Sequence, residues 1–185
     1  MHPKPYAGEI GMEVRGLAGE DEFGIILSAF RESERQVPAS LIRNKSVRVP
    51  TEEGVYAWVF EPARLGIRGG YYEVLVEGRA LVYVGMVPSR RDSRKKLRDR
   101  LRNHLRNTAR QSTLRLSLGA LLMEKLSLEP KARSDGRIDS GVTEAALGDW
   151  IAEHRWVSWM PHPSPRQIEG QLGHALRTPR NLHGN

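Results

Sequence analysis

The run Gly54-Val55-Tyr56-Ala57-Trp58-Val59-Phe60 constrains the fold more than any other stretch of the chain. Its aromatic and β-branched residues pack well on a pleated surface, so residues 55–60 read as a strand. Val49-Pro50-Thr51-Glu52-Glu53 supplies the turn before it, and Pro62, Gly66, Gly69 and Gly70 make residues 61–70 an extended loop. A second strand is expected over residues 71–76, then a Glu77-Gly78 turn and a third strand over 80–84, the last two pairing as a hairpin. Gly54 and Gly85 each lie two residues from a tyrosine, Tyr56 and Tyr83. Lacking Cβ, each glycine lets another backbone or a phosphate come close, so the two phenols could meet beside one pocket.

Helical patterns flank these strands. Phe23, Ile26, Leu27 and Phe30 recur at helical spacing within residues 21–35, and Pro38 stops that pattern. Leu97, Leu101 and Leu105 draw a narrow apolar stripe along a basic helix over residues 95–106, and that stripe should face the sheet. Arg100 and His104 are four residues apart, about 40° around the axis from each other, and border the stripe, so both can reach one site. Leu114, Leu118, Leu121 and Leu122 mark a buried face of a helix over residues 113–125. A short strand is expected at residues 137–139 and a helix over 142–154, carried by Ala145, Ala146, Leu147, Trp150 and Ile151. Residues 156–160 form another strand candidate, closed by Pro161, Pro163 and Pro165, before a last helix over 166–177 with Ile168, Leu172 and Leu176 inward. The expected architecture is α+β, with an N-terminal extension over residues 1–46 carrying a short helix and one larger domain over residues 47–185.

Charge is concentrated. The 185-residue chain has a formal net charge of +7, yet residues 90–115 hold eleven Lys or Arg against Asp92 and Asp99. A solvated helix face is one reading; with so few acids to form i,i+4 pairs, a surface that tracks phosphates is the other. Arg94, Lys95, Lys96, Arg102 and Arg106 are the candidate nucleic-acid contacts. The same stretch contains no Phe, Tyr or Trp, which disfavours base stacking and leaves backbone contact as the main mode. Absence of Cys excludes disulfides, thiolate zinc sites and a cysteine nucleophile. The N-terminus shows no apolar signal core and no run long enough to span a bilayer, so a cytoplasmic location without membrane contact is expected.

Several side chains suit phosphodiester chemistry. A guanidinium offers a planar fork to phosphate oxygens, which makes Arg100 the natural clamp. Glu169 lies beside the inward-facing Ile168 and Leu172, an unusual place for a carboxylate. It either pairs with Arg166 or Arg177 at the rim or holds Mg²⁺, which accepts one protein carboxylate plus waters and phosphate. Tyr56 and Tyr83 are either packing residues or phenols whose pKa is lowered by nearby cations. The remaining histidines lack zinc-binding spacing, and the glycines at 66, 69 and 70 lack the Gly-Lys-Ser/Thr end of a P-loop.

Taken in order, GVY (54–56), YVG (83–85), RLRNH (100–104), IEG (168–170) and PRNL (179–182) resemble the GIY-YIG nuclease family. The resemblance implies a central three-stranded antiparallel sheet flanked by helices and a Mg²⁺- or Mn²⁺-dependent endonuclease acting on DNA. It assigns water activation to Tyr56 with Tyr83 as its hydrogen-bonding partner, leaving His104 as a phosphate contact, a proton relay or the base itself. Arg100 would hold the phosphate, Glu169 the metal, and Asn181 would tie the tail to the site or touch substrate. The long gap between the name motifs, the loop at 87–94 and the extended 107–164 segment depart from the family's pattern, and the long basic loop before the Arg helix looks more like the restriction-enzyme branch. A double-strand cut would need two nicks or a homodimer, for which the helix at residues 23–30 is a candidate surface. A rival reading is a nucleic-acid-binding module of the same fold that no longer cuts.

Overall fold

In a computed structural model, the described residues are 20–66, 73–74, 78–90, 92–106, 112–129, 131–132, 138–139 and 144–176. In chain order the elements are α1 (Glu20–Arg31), β1 (Val37–Pro38), α2 (Ala39–Arg43), β2 (Gly54–Phe60), α3 (Pro62–Leu65), β3 (Glu73–Val74), β4 (Ala80–Val87), α4 (Leu97–His104), α5 (Thr113–Leu122), β5 (Lys131–Ala132), β6 (Ile138–Asp139), α6 (Glu144–His154), β7 (Arg155–Pro161) and α7 (Pro165–Leu176). The main sheet runs β1-β7-β2-β4-β3, antiparallel throughout, and β5 pairs β6 in a separate ribbon.

The three-stranded expectation is therefore corrected to a main sheet of five strands among the described residues, two of the five only two residues long. β7 pairs with β2 along its whole length, from Gly54↔Pro161 to Phe60↔Arg155. That partnership joins segments far apart in the chain, which local hydrophobic patterning cannot register. The expected hairpin is present where described, with Glu73 opposite Leu81 and Val74 opposite Ala80; residues 71, 72, 75 and 76 lie outside the described residues.

Every residue of β2 is buried because helices cover both faces of the sheet. Tyr56, Trp58 and Phe60 point into one core with Leu97, Leu101, Leu105, Leu114, Leu118 and Ile151. Val55, Ala57 and Val59 point the other way, onto Ile26 and Phe30 of α1 and Ile168 and Leu172 of α7. Each fully buried side chain of this kind contributes about 1.5–3 kcal/mol by leaving water, so both helical layers are bound to the sheet.

The apolar face of α1 is turned into the protomer's own core, with Ile26 and Phe30 buried and Phe23 and Leu27 partly buried. On α5 the expected inward set differs by one residue: Leu121 is exposed, and Arg115 is fully buried instead. The short helix α3 stands in the stretch expected as loop. Gly54 explains the tight β2–β7 seam, since a Cβ there would fall under 3.0 Å from the Met160 carbonyl oxygen and from Leu97 Cδ1.

Candidate active site

Three elements, β2, β4 and α4, converge on the phenol of Tyr56. β2 and β4 pair with Tyr56 opposite Gly85 and Trp58 opposite Tyr83, while Val82 is skipped in the register. This bulge sets the phase of β4, so that Tyr83 and Gly85 share the face of Trp58 and Tyr56. A Cβ on Gly85 would come under 3.0 Å from the Tyr56 ring and hydroxyl and from Tyr83 Cε1. The glycine of the second motif thus makes room for the tyrosine of the first, and the two rings stack with centroids 6.3 Å apart.

α4 is pinned at its start to the segment that leads into β2. The backbone N–H groups of Leu97 and Arg98 donate to the carbonyls of Glu52 and Pro50 at 2.9 and 3.0 Å. Asp99 accepts from the Lys96 backbone N–H at 3.2 Å, closing the helix N-terminus. With Leu97 and Leu101 in the core, Arg100 and His104 are turned toward β2. Arg100 Nε donates to Tyr56 Oη at 3.1 Å, and His104 Nε2 lies 2.8 Å from the same oxygen.

His104 is more deeply placed than the border position expected from the Leu stripe. It is fully buried, 5.4 Å from the Tyr56 ring and edge-on to Trp58 at 5.8 Å between centroids. Burial, then the charges of Arg100 and Arg115, hold its pKa well below 6.5, so its imidazole is neutral at pH 7. Burial raises Tyr56 well above 10, helped by the neighbouring Tyr83, while Arg100 pulls it down without prevailing. Tyr83 is raised by burial too; Arg100 opposes that shift and the Glu169 charge adds to it. Burial would lower Arg100, but Tyr56 and Tyr83 outweigh it and keep its pKa above the ordinary value.

Glu169 is half-buried on α7, between the core residues Ile168 and Leu172 in sequence, and close enough to Tyr83 for its charge to act on that phenol. Tyr56, Arg100 and His104 are therefore in direct contact, Tyr83 stacks on Tyr56, and Glu169 approaches through Tyr83. Asn181 lies outside the described residues. Of the candidate nucleic-acid contacts, Arg94 and Arg106 are exposed, whereas Lys95, Lys96 and Arg102 are half-buried. Lys96 is engaged with Glu53 at 3.2 Å. Arg98, not singled out from the sequence, is also exposed on α4.

Sequence reasoning also missed the support under His104. Ser112 Oγ lies 2.7 Å from His104 Nδ1 and accepts from the Arg115 backbone N–H at 3.1 Å as the α5 N-cap. Buried Arg115 donates to the His104 carbonyl at 3.3 Å and pairs with Glu144 at 2.6 Å. A Ser before a leucine-patterned helix signals a cap, but nothing in the letters ties that cap to His104.

These contacts place the motif residues of two strands and a helix around one buried phenol. Residues 54–185 match the family described as the GIY-YIG catalytic domain, and the chain belongs to that family. Its class is that of the nucleases, which act on nucleic acid. No individual curated protein and no solved structure gives a match. Among the described residues, no helix is long and apolar enough to cross a membrane.

Proposed function

We propose that this chain is a Mg²⁺- or Mn²⁺-dependent endonuclease that hydrolyses DNA phosphodiester bonds. The observation that carries the reading is the Tyr56 hydroxyl held between Arg100 Nε at 3.1 Å and His104 Nε2 at 2.8 Å. A phenol raised above 10 is a poor base alone at neutral pH. A neutral imidazole beside it changes the balance: as Tyr56 Oη takes a proton from the attacking water, its own proton passes to His104 Nε2. The relay moves one proton in and one out, so no phenolate has to persist in the buried site. Arg100 sits where its guanidinium meets both phenols, and a phosphate placed over them accepts its charge as the equatorial oxygens grow more negative.

Glu169 suits a hard divalent cation. It is one half-buried carboxylate beside a phenol, and among the described residues no three His, Asp or Glu side chains gather into a preformed cage. A site with one protein carboxylate is completed by waters and phosphate oxygens, a pattern Mg²⁺ accepts. When bound, the ion supplies positive charge for the leaving oxygen. Exposed Arg94, Arg98 and Arg106 lie along and beside α4, where a nucleic-acid backbone would bring phosphate to Arg100.

The test is cleavage of supercoiled plasmid with Mg²⁺, run beside Arg100→Ala and Glu169→Ala. Nicking should disappear in both, a loss of at least about 10²-fold for the clamp, while Glu169→Ala still binds DNA. DNA binding by the unaltered protein with no nicking would support the non-cutting module instead.

A further inference from the structure

The buried bracket Ser112–Arg115–Glu144 has no part in the chemistry described so far, although it ends on the imidazole next to the reacting phenol. Ser112 is 2% exposed and Arg115 0%. We infer that Ser112 is a positioning residue that accepts a hydrogen bond from His104 Nδ1–H, fixing the tautomer in which Nε2 is the proton acceptor for Tyr56. This rests on the proposed function for its catalytic meaning, though not for its structural content.

The argument is one of donors and acceptors. Tyr56 Oη already accepts from Arg100 Nε–H, and its own proton can go to Tyr83, with which it also shares a hydrogen bond, or to His104; the proposed relay uses the second. His104 Nε2 is 2.8 Å away. A neutral imidazole carries one proton, so if Nε2 accepts, Nδ1 bears the N–H, and Nδ1 faces Ser112 Oγ at 2.7 Å. A serine oxygen has two lone pairs. One takes the Arg115 backbone N–H of the α5 cap and the second takes Nδ1–H, with the hydroxyl's own proton turned away from the ring.

The groups facing His104 come from each neighbouring element: Tyr56 and Trp58 from β2, Tyr83 from β4, Arg100 from α4, Ser112 and Arg115 from α5. Glu144 of α6 pairs with Arg115, giving that guanidinium a carboxylate partner. Arg115 in turn donates to the His104 carbonyl, which ties the end of α4 to the start of α5. When His104 gains a proton at Nε2, Nδ1–H stays seated on Ser112 and no side chain has to rotate.

Two variants separate the hydroxyl from the cap. Glycine is tolerated at an N-cap, so Ser112→Gly removes the partner of Nδ1 with little cost to α5, and Ser112→Thr restores a hydroxyl. In the plasmid assay Ser112→Gly should lower kcat on the order of 10- to 100-fold with KM unchanged, and Ser112→Thr should recover most of it. In a His104→Ala background Ser112→Gly should add no further loss, because both changes cut the same link. A full additional loss there would overturn the inference while leaving the nuclease reading intact.

Nitrogen-15 NMR of histidine-labelled protein at pH 7 supplies a readout that needs no activity. His104 should show a protonated Nδ1 and an unprotonated Nε2, with the balance shifting toward Nε2–H in Ser112→Gly. A wild-type signal with the proton on Nε2 sinks the proposal even if Ser112→Gly fails to fold. A chain that shows the expected tautomer and yet cuts nothing refutes the proposed function alone.

Discussion

At the scale of single residues, Gly85 and His104 decide what Tyr56 can do. The phenol is held by two hydrogen bonds and lies across Gly85, so an added methyl has to push one of them. Gly85→Ala should cost about 1–3 kcal/mol through overpacking and slow nicking on the order of 10²-fold through misplacement of the hydroxyl, with DNA binding kept. A variant with lowered urea midpoint but full cleavage would show that the phenol's position does not matter. His104 makes a second statement, about pH. Its folded pKa is depressed, first by burial and then by Arg100 and Arg115, so between that value and 6.5 only the unfolded chain takes up the proton. The contribution is present above 6.5 and is lost as pH falls below it. Urea unfolding at pH 7 and pH 5.5 should therefore show acid destabilisation that is smaller in His104→Gln; equal pH responses in the two proteins would contradict a buried neutral imidazole.

At the scale of elements, the sheet is a platform clamped from both sides. α4, α5 and α6 cover the face that carries the site, while α1 and α7 cover the reverse. Phe30 of α1 is fully packed in the reverse core, so Phe30→Ala should destabilise the chain by about 3–5 kcal/mol, seen as a fall in the urea midpoint with unchanged slope. No change would mean that α1 is not docked. Most elements were legible in the letters: the strand at β2, the Leu-patterned α4 and the Pro-bounded β7 each carry their signal locally. The β2–β7 pairing and the Val82 bulge were not, because strand partners are chosen by side-chain packing across long stretches of chain. The same reason hid the depth of His104. Its spacing from Arg100 gave a shared direction, but whether that direction met solvent or core depended on where α5 lay.

At the scale of the whole molecule, exposed cations and the buried site meet at α4, with Arg94, Arg98 and Arg106 exposed on and beside the helix that carries Arg100 and His104. The net charge of +7 conceals a strongly positive stretch over residues 90–115, which in the fold leads into and out of α4. Affinity for DNA should fall steeply with salt, and Arg94→Ala or Arg106→Ala should each reduce the slope of log K against log salt by about 0.9 if that side chain meets a phosphate. A flat response would remove this stretch from the binding surface. The order of motifs was readable because each is a few contiguous residues of distinctive chemistry; Tyr56, Tyr83, Arg100, His104 and Glu169 could be singled out that way. By itself the sequence determined which side chains were available, the local elements that carry them and the sign of the field around them. Only the tertiary structure decided that Tyr56 lies over Gly85, that His104 is sealed in the core and that Ser112, Arg115 and Glu144 stand behind it. Those facts depend on dense packing between distant segments, where a shift of one strand register or one helix turn exchanges the partners of every buried polar group.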